Sequence, residues 1–329
     1  MKHLPRLHRL RQRGLTLIEL MVSMVLMLLI TIATVALFNV SSSSFKTVDA
    51  GQELQDSARF AMEIIGQAVR SAGYQERTAP VTTDDQTDRI FGPANVDASA
   101  WRIQGGNNSM LAAGNSITRG VNNGVNQSDA LITRFYGSNL ANPNNPAVAQ
   151  FSGGNPVADG TMVDCSGRAM PYPTGALDVG VSAFFVRTVN NEPELICKSF
   201  NPTTGQYADT QIVRGVEAFQ VMYGLDTTGD EIPDQWLSAN TAWDTATATP
   251  NWNNVVAVRV GFVLRGPVGS AQGQSSTASD NDLYPLGLAF TCGAATSCTP
   301  AAGLKFTPPN DGRLRKAFAT TFFIRNSTR

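Results

Sequence analysis

The apolar and polar positions of this chain follow three successive patterns, and the first is an almost continuous apolar run. Between Leu15 and Val40 the sequence contains no Lys, Arg, Asp, Pro or Gly, and Glu19 is the one charged residue there. Such a run is long enough to span a bilayer as a helix, since about 20 apolar residues suffice. A charge inside it costs roughly 2.5–3.5 kcal/mol or more, so Glu19 is a candidate functional residue.

The second pattern has the period of an amphipathic helix and continues the first. No proline occurs between Ser41 and Gly73, and small or apolar residues recur there at intervals of three and four. We expect this face to pack on the protein's own sheet, and Gly73 to end the helix. The face comprises Leu54, Ala58, Ala61, Ile65, Ala68 and Ala72, and the opposite face comprises Gln52, Asp56, Arg59, Glu63, Gln67 and Arg70.

The third pattern, after Gly73, consists of short strand-like runs between polar segments. The alternation from Val256 to Leu264 predicts a strand of a sheet with one buried face. Long loops are expected at Gly105–Gly124, Gly137–Gly160 and Gly266–Asp282. The predicted strands are Ala130–Tyr136, Val181–Val189, Glu194–Lys198, Val216–Tyr223, Val255–Leu264 and Phe318–Arg325. The predicted class is α+β, with a long N-terminal helix, half membrane-spanning and half amphipathic, packed on an antiparallel β-sheet with long loops.

A basic leader precedes the apolar run. It contains no acid and five cations, Lys2, Arg6, Arg9, Arg11 and Arg13. The positive-inside rule predicts that the leader stays in the cytoplasm and that everything after Val40 is exported. An ordinary secretory signal fits poorly, because no small-residue cleavage site follows Val40.

The combination of Arg13-Gly14 with Glu19 inside the apolar run resembles the type IV prepilin leader. That resemblance implies cleavage by the prepilin peptidase between Gly14 and Leu15, N-methylation of Leu15 and a role for Glu19 in assembly. The chain departs from the family at Leu15, where phenylalanine is usual. The implied organisation is a leader over 1–14, a transmembrane and assembly helix over 15–40, its amphipathic continuation over 41–73 and an exported β-rich domain over 74–329.

The new amine on Leu15 gives Glu19 two alternative partners. One is the amine of a neighbouring subunit, which would favour entry into a filament because an unpaired carboxylate is costly in lipid. The other is the amine of its own chain, one helical turn away.

Further segments resemble a PilW-type minor pilin: 164–167, 216–224, 258–265 and 314–326. The resemblance implies a structural subunit that primes type IV pilus assembly and lies at or near the pilus tip. Its implied partners are other minor pilins, the major pilin, the prepilin peptidase and the inner membrane, with the C-terminal domain in the periplasm before assembly and on the cell surface afterwards. Alternatives are a minor pseudopilin of a type II secretion system, and a pilus-borne adhesin or DNA receptor. Twitching motility, cell adhesion and DNA uptake remain open as roles of the pilus.

The composition excludes several classes of chemistry. Both histidines, His3 and His8, lie in the leader, so the mature chain has no histidine for acid–base catalysis or metal binding. No pair of carboxylates stands out, and we interpret the protein as a non-enzyme. Without the leader the chain is clearly acidic, so no nucleic-acid partner is expected.

The four cysteines predict disulfides, because an even count in an exported domain is typical of them. Three connectivities are possible. We favour the nearest-neighbour pairs, Cys165–Cys197 and Cys292–Cys298; free buried thiols are the alternative.

The segment 226–234 is rich in acids at spacings that calcium loops use. Asp226, Asp230 and Asp234 occupy positions 1, 5 and 9 of an EF-hand-like loop, and Ile232 would offer a backbone carbonyl. The motif is incomplete, since Thr228, Glu231 and Leu237 stand where an acid or Asn, a glycine and a bidentate acid are usual. The candidate is therefore a weak calcium site, with an acidic turn as the alternative.

Overall fold

One long helix precedes the strands of the computed structural model, which describes residues 16–75, 101–112, 122–171, 179–201, 204–239, 251–271, 282–292 and 303–326. This helix, α1, spans Leu17–Ser71. The chain divides into two compact units, residues 1–49 and residues 50–329. The membrane-spanning segment predicted over 15–40 is thus helical from Leu17 onward.

In the first unit the large apolar side chains of α1, from Leu17 to Val48, are exposed. The most apolar stretch of 18 residues has a mean hydropathy of 2.7, and none of it is buried. Among the described residues, this is the helix that is long and apolar enough to cross a membrane. A helix that is apolar on all sides is stable only in lipid or against other apolar helices.

In the second unit α1 presents the predicted face to the core. All six residues of that face are at most 4% exposed, and Ala61, Ile65 and Ala72 are fully buried. The small side chains allow close approach of a strand, because a Cβ added to Gly66 would lie 2.6 Å from Phe322 Cε1. Gly73 follows the helix with a φ of +76°, the left-handed conformation expected of a residue that ends a helix.

All six predicted strands are confirmed, and the structure contains further strands. The strands are β1 (Ile103–Gly106), β2 (Ala130–Phe135), β3 (Ala141–Asn142), β4 (Asn145–Ala149), β5 (Phe151–Ser152), β6 (Asn155–Pro156), β7 (Gly180–Val189), β8 (Glu192–Asn201), β9 (Gln206–Arg214), β10 (Val216–Leu225), β11 (Gln235–Leu237), β12 (Val255–Arg265) and β13 (Arg315–Phe323). A short helix, α2, spans Leu288–Cys292. The predicted loop 137–160 contains the small hairpins β3–β4 and β5–β6, while the loops predicted at 105–124 and 266–282 lie partly outside the described residues.

The strands form two main antiparallel sheets rather than the one that the sequence suggested. The first has the order β1-β2-β7-β8-β9 and the second the order β11-β10-β12-β13. Between β9 and β10 stands Gly215, whose φ of +77° turns the chain out of the first sheet and into the second. Both sheets contribute to the core against α1, through side chains such as Phe184, Leu195, Phe219 and Phe262.

Strand β12 corrects the expectation of a sheet with one buried face. Its side chains Val258, Val260, Phe262 and Leu264 belong to the core with α1. The opposite face is buried as well, because Val263 packs with Phe306 and Leu283. At Gly261 the backbone of Pro285 approaches so closely that a Cβ would lie 2.1 Å from the Pro285 carbonyl oxygen. Segments distant in sequence therefore cover the face that was expected to meet solvent.

The two sheets meet where the turn before β2 contacts the free side of β10. Ser128 Oγ accepts a hydrogen bond from Phe219 N at 3.1 Å, and Asp129 N donates to Phe219 O at 2.7 Å. Asp129 Oδ2 then accepts from Val221 N at 2.8 Å. Two side chains and one backbone group thus replace the ladder that a neighbouring strand would supply, which satisfies the buried N–H groups of β10.

Candidate functional site

Glu19 lies in the first turn of α1 and forms a reciprocal cap with Thr16. Thr16 N and Thr16 Oγ1 both donate to Glu19 Oε2, each at 3.0 Å, and Glu19 N donates to Thr16 Oγ1 at 3.4 Å. This is the capping box of the form Thr-x-x-Glu, in which two backbone N–H groups at a helix start are satisfied at once. The sequence analysis overlooked this motif, although the spacing of Thr16 and Glu19 shows it.

The cap leaves part of the Glu19 carboxylate unused. Within the described residues, no hydrogen bond is made by Glu19 Oε1. The predicted cleavage and methylation residues, Gly14 and Leu15, lie outside the described residues. The geometry therefore permits Glu19 to keep its cap through Oε2 while a cation approaches Oε1.

The hydroxyls farther along the apolar part of α1 are all bonded inside the helix. Ser23 Oγ donates to Leu20 O at 2.8 Å, Thr31 Oγ1 to Leu28 O at 2.8 Å and Thr34 Oγ1 to Ile30 O at 2.7 Å. These bonds remove the cost of an unsatisfied hydroxyl in lipid. Glu19 is the one charged group of this segment, and its Oε1 has capacity left for an outside partner.

The structure joins Cys165 to Cys197, one of the two pairs favoured from spacing. The bond ties the turn at 163–169 to the inner face of β8, where Cys197 is fully buried. The second predicted pair, Cys292–Cys298, lies outside the described side chains.

The acidic segment 226–234 folds into a turn in which backbone N–H groups face the carboxylates. Asp226 is fully buried; Oδ1 accepts from Gly229 N at 2.6 Å and Oδ2 from Glu231 N at 2.8 Å. Asp234 Oδ2 accepts from Thr227 N at 2.6 Å and from the Thr227 hydroxyl, and these bonds lower the pKa of Asp234. Asp230 Oδ1 accepts from Ile232 N at 3.0 Å.

These hydrogen bonds explain the three aspartates as groups that stabilise the turn. Glu231 has a φ of +64°, the left-handed conformation in which glycine is usual at this point of a calcium loop. Among the described residues, no group of three His, Cys, Asp or Glu side chains is placed to hold a metal ion. Calcium binding by Asp226, Asp230, Ile232 and Asp234 stays a prediction, since it requires these carboxylates to exchange N–H donors for the ion.

A buried ionic cluster, which the sequence analysis missed, joins three strands. Glu217 on β10 contacts Arg265 on β12 at 3.2 Å and Arg315 on β13 at 2.5 Å. The side chains of Glu217 and Arg315 are only 4% and 5% exposed. Arg315 also contacts Asp311 at 2.6 Å, and Arg265 contacts Glu192 at 2.8 Å. The sequence signal for this cluster was Glu217 itself, because it is the one charged residue in a largely apolar strand, β10.

Comparison with known proteins places these features in a family. The family described as Type IV Pilus-assembly protein W matches residues 183–326, which span β7 to the end of the described chain. The prokaryotic N-terminal methylation motif matches residues 9–35, which include Gly14, Leu15 and Glu19. Among solved structures, the chain is similar to the type IV-like pilin TTHA1219 from Thermus thermophilus, with 14% identity, 84% of this chain and 97% of that chain covered, and a TM-score of 0.36. No curated protein matches the sequence.

A long N-terminal helix, apolar at its start and packed on antiparallel sheets further along, gives the protein an α+β fold. The two matched motifs define the class more closely. Residues 183–326 form a PilW domain, and together with the N-terminal methylation motif over residues 9–35 this match supports a PilW-type pilin with a prepilin leader. All five side chains of the buried ionic cluster, Glu192, Glu217, Arg265, Asp311 and Arg315, lie within that domain.

Proposed function

We propose that this protein is a minor pilin that primes assembly of a type IV pilus and lies at or near the pilus tip. One observation carries the proposal: a single helix, α1, includes both the unburied apolar segment with Glu19 and the face on which the PilW domain packs. A protein built in this way can be held in the membrane and then transferred into a bundle of similar helices. Its role is structural rather than catalytic.

The assembly step rests on Glu19. Cleavage after Gly14 would leave an amine on Leu15, methylated or free. In the apolar interior of a helix bundle, that amine of one subunit would pair with Glu19 Oε1 of its neighbour. A carboxylate without a cation is expensive in lipid, so the pair favours the filament over the isolated subunit. The cap from Thr16 holds the carboxylate at the helix start.

The orientation follows from charge and from redox chemistry. The five cations of the leader would keep it in the cytoplasm, so the PilW domain would face the periplasm and reach the cell surface after assembly. The Cys165–Cys197 disulfide supports this location, because disulfides persist in oxidising compartments. The partners would be other minor pilins, the major pilin and, before assembly, the prepilin peptidase.

Two measurements test the proposal. Sequencing of the N-terminus of the protein extracted from membranes should begin at Leu15, and a Gly14→Val variant should retain the leader. Deletion of the gene should reduce the number of surface pili, and immunogold labelling should place the protein at pilus ends. A mature chain that keeps residues 1–14 would refute the prepilin assignment.

The alternatives give different results in the same strains. A minor pseudopilin of type II secretion would leave pilus number unchanged and reduce secretion of exported enzymes. An adhesin or DNA receptor would leave pilus number unchanged and reduce attachment or salt-dependent DNA capture. Normal pilus number after deletion, with normal secretion, would contradict both assembly roles.

A further inference from the structure

A groove beside α1 is formed by three parts of the second unit, residues 50–329, that are distant in sequence. One wall is the flank of α1 with Phe60, Ile64 and Ala68, and the second is the turn 163–167. The third is the segment 210–212 of β9. The groove has a volume of about 300 Å³.

Much of the groove wall is apolar, although it is open to solvent. Phe60 is 55% exposed and lines the groove. Ile64 and Ile212 are partly buried against the core and line the same groove. An aliphatic chain laid here would remove apolar surface from water on several sides, which is favourable.

One carboxylate of the groove has an oxygen without a hydrogen-bond partner. Asp164 is 3% exposed, and its Oδ1 accepts from Ser166 N, Ser166 Oγ and Arg168 N at 2.8, 2.6 and 3.1 Å. Its Oδ2 is buried and has no hydrogen-bond partner. Such an oxygen normally has a partner, because burying a charged group without one is costly.

No cation of the described chain compensates Asp164. Arg168, the nearest cation in sequence, donates instead to Phe200 O at 3.5 Å. Among the residues that line the groove, Asp164 is the charged one. The groove therefore combines apolar walls with a single uncompensated negative charge.

The turn that carries Asp164 is held firmly in place. Cys165 is bonded to Cys197 of β8, and Cys165 N donates to Ser182 Oγ on β7 at 3.0 Å. Val163 and Ala169 close the turn as an isolated β-bridge. Because the turn is tied on both sides, Asp164 is poised for an incoming group at little further cost in ordering.

The groove is accessible from the edge of the first sheet. Strand β9 pairs with β8 on one side, and in the described parts of the chain no strand pairs with its other side. Within β9 there is no proline or lysine, which commonly protect sheet edges from neighbours. Ile212 is the extra residue of a β-bulge in β9, between Gln211 and Val213, and it lines the groove instead of extending a regular edge.

We propose that this groove receives a lysine or arginine side chain from a neighbouring pilin subunit. The aliphatic stem lies against Ile64 and Ile212, and the cationic head donates to Asp164 Oδ2, which docking uncovers. Long cationic side chains are suited to such a site because they bury the stem and keep a charged tip. The inference rests on the proposed function, since it assumes a pilin neighbour. A metal ion would require more carboxylates than the one present, and a nucleic acid would be repelled by it.

Site-specific photocross-linking in cells that assemble pili tests the docking. Benzoylphenylalanine replaces Phe60 in the full chain, and a second strain carries the probe at Leu26 in the apolar part of α1. After irradiation, the cross-linked partners are identified by mass spectrometry. We expect the probe at Phe60 to capture another chain with a prepilin leader, on a peptide with Lys or Arg next to the cross-link.

Two substitutions on β9 provide a matched pair. Gln211→Lys places a lysine of this chain in the groove, where it can neutralise Asp164 and exclude the partner's side chain. Gln206→Lys adds the same charge at the exposed far end of β9. The Gln211→Lys change should reduce cross-linking at Phe60 by about tenfold or more, as expected for loss of a desolvated charge pair. The Gln206→Lys change should leave it unaltered.

Asp164→Asn gives an independent reading, because it keeps the acceptor at Oδ1 and removes the charge. Its cross-linking at Phe60 should fall as with Gln211→Lys, while peptide mapping shows the Cys165–Cys197 disulfide intact. Equal cross-linking in the wild type and Gln211→Lys, or capture of a peptide without Lys or Arg, would overturn the docking proposal. If Leu26 captures pilins and Phe60 does not, the docking proposal alone fails; if neither does, the pilus function fails with it.

Discussion

Asp129 accepts a hydrogen bond from Val221 N at 2.8 Å, and this bond connects the turn before one sheet to a strand of the other. The same carboxylate accepts from Asn108 N at 2.9 Å. The Asp129 carboxylate thus joins the two sheets by hydrogen bonds, at a place where β10 lacks a neighbouring strand over part of its length. Its burial has a consequence for the stability of the fold.

The stability of the second unit, residues 50–329, should fall as the pH rises from about 4 to about 7. Burial raises the pKa of Asp129 from 3.8 to about 7, although the N–H groups of Val221 and Asn108 oppose the shift. A raised folded-state pKa means that the favourable contribution is complete below the unfolded pKa and is lost as the pH passes the folded pKa. The loss is at most roughly 4 kcal/mol.

Thermal unfolding of the full chain in detergent between pH 5 and pH 8 measures this slope. Asp129→Asn is the control, because an amide does not titrate; its absolute stability changes, but its melting temperature should vary less with pH. The exposed acids with a lowered pKa, such as Asp234 and Asp282, stay ionised in this range and do not contribute. Identical slopes in the two proteins would contradict a titrating Asp129.

Glu19→Ala should insert normally into the membrane and fail to enter pili. Loss of the carboxylate makes the helix more favourable in lipid and removes the partner of a neighbour's amine. Thr16→Ala removes only the hydroxyl of the cap and should enter pili, because Glu19 keeps its charge. Immunoblots of membrane and sheared-pilus fractions report both variants. Equal exclusion of the two would mean that Glu19 acts through its cap.

Non-reducing peptide mapping should link Cys165 to Cys197 and Cys292 to Cys298. The first bridge spans 32 residues of sequence. By the loop-entropy relation its removal, as Cys165→Ser with Cys197→Ser, should lower the free energy of unfolding by roughly 3–4 kcal/mol. A peptide that joins Cys165 to Cys298 would refute the connectivity.

Glu231→Gly should stabilise the protein by about 0.5–1 kcal/mol, because glycine adopts the left-handed conformation without steric cost. Glu231 has a φ of +64° and is exposed, so little is lost with its side chain. Thr228→Gly in the same turn is the matched control and should destabilise, since Thr228 is not in that conformation. Denaturant unfolding compares the three proteins, and a loss of stability in Glu231→Gly would remove the strain argument.

If the acidic turn binds calcium, the ion at millimolar concentration should raise the melting temperature. The reason is that a ligand that binds only the folded protein stabilises it by mass action. The affinity expected of an incomplete loop is roughly 10⁻⁴–10⁻³ M. Asp230→Ala should abolish the rise, because Asp230 gives one backbone bond in the present turn and is the acid most easily redirected to an ion. An unchanged melting curve for the wild type with calcium would leave the segment as a turn only.

The features that depend on neighbouring residues in the chain could be predicted from the sequence. The apolar anchor, the buried face of α1 from Leu54 to Ala72 and the end at Gly73 follow from periodicity and local conformation. Five of the six predicted strands were recognisable because they combine β-branched and aromatic residues, and Glu194–Lys198 because it is a short apolar run between polar residues. Strand β9 was not, because most of its side chains are exposed and polar, and an edge strand needs no apolar alternation.

The contacts between these elements could be recognised only in the folded structure. The division into two sheets, the contact of Asp129 with Val221 and the cluster of Glu217 with Arg265 and Arg315 join residues that are 48 to 98 positions apart. The burial of both faces of β12 and the groove at Asp164 likewise require segments that no local pattern relates. Local periodicity shows which face of an element is apolar. The element that packs on this face depends on the closure of long loops and on the fit of side chains that are distant in sequence. Short segments of a sequence therefore do not reveal it.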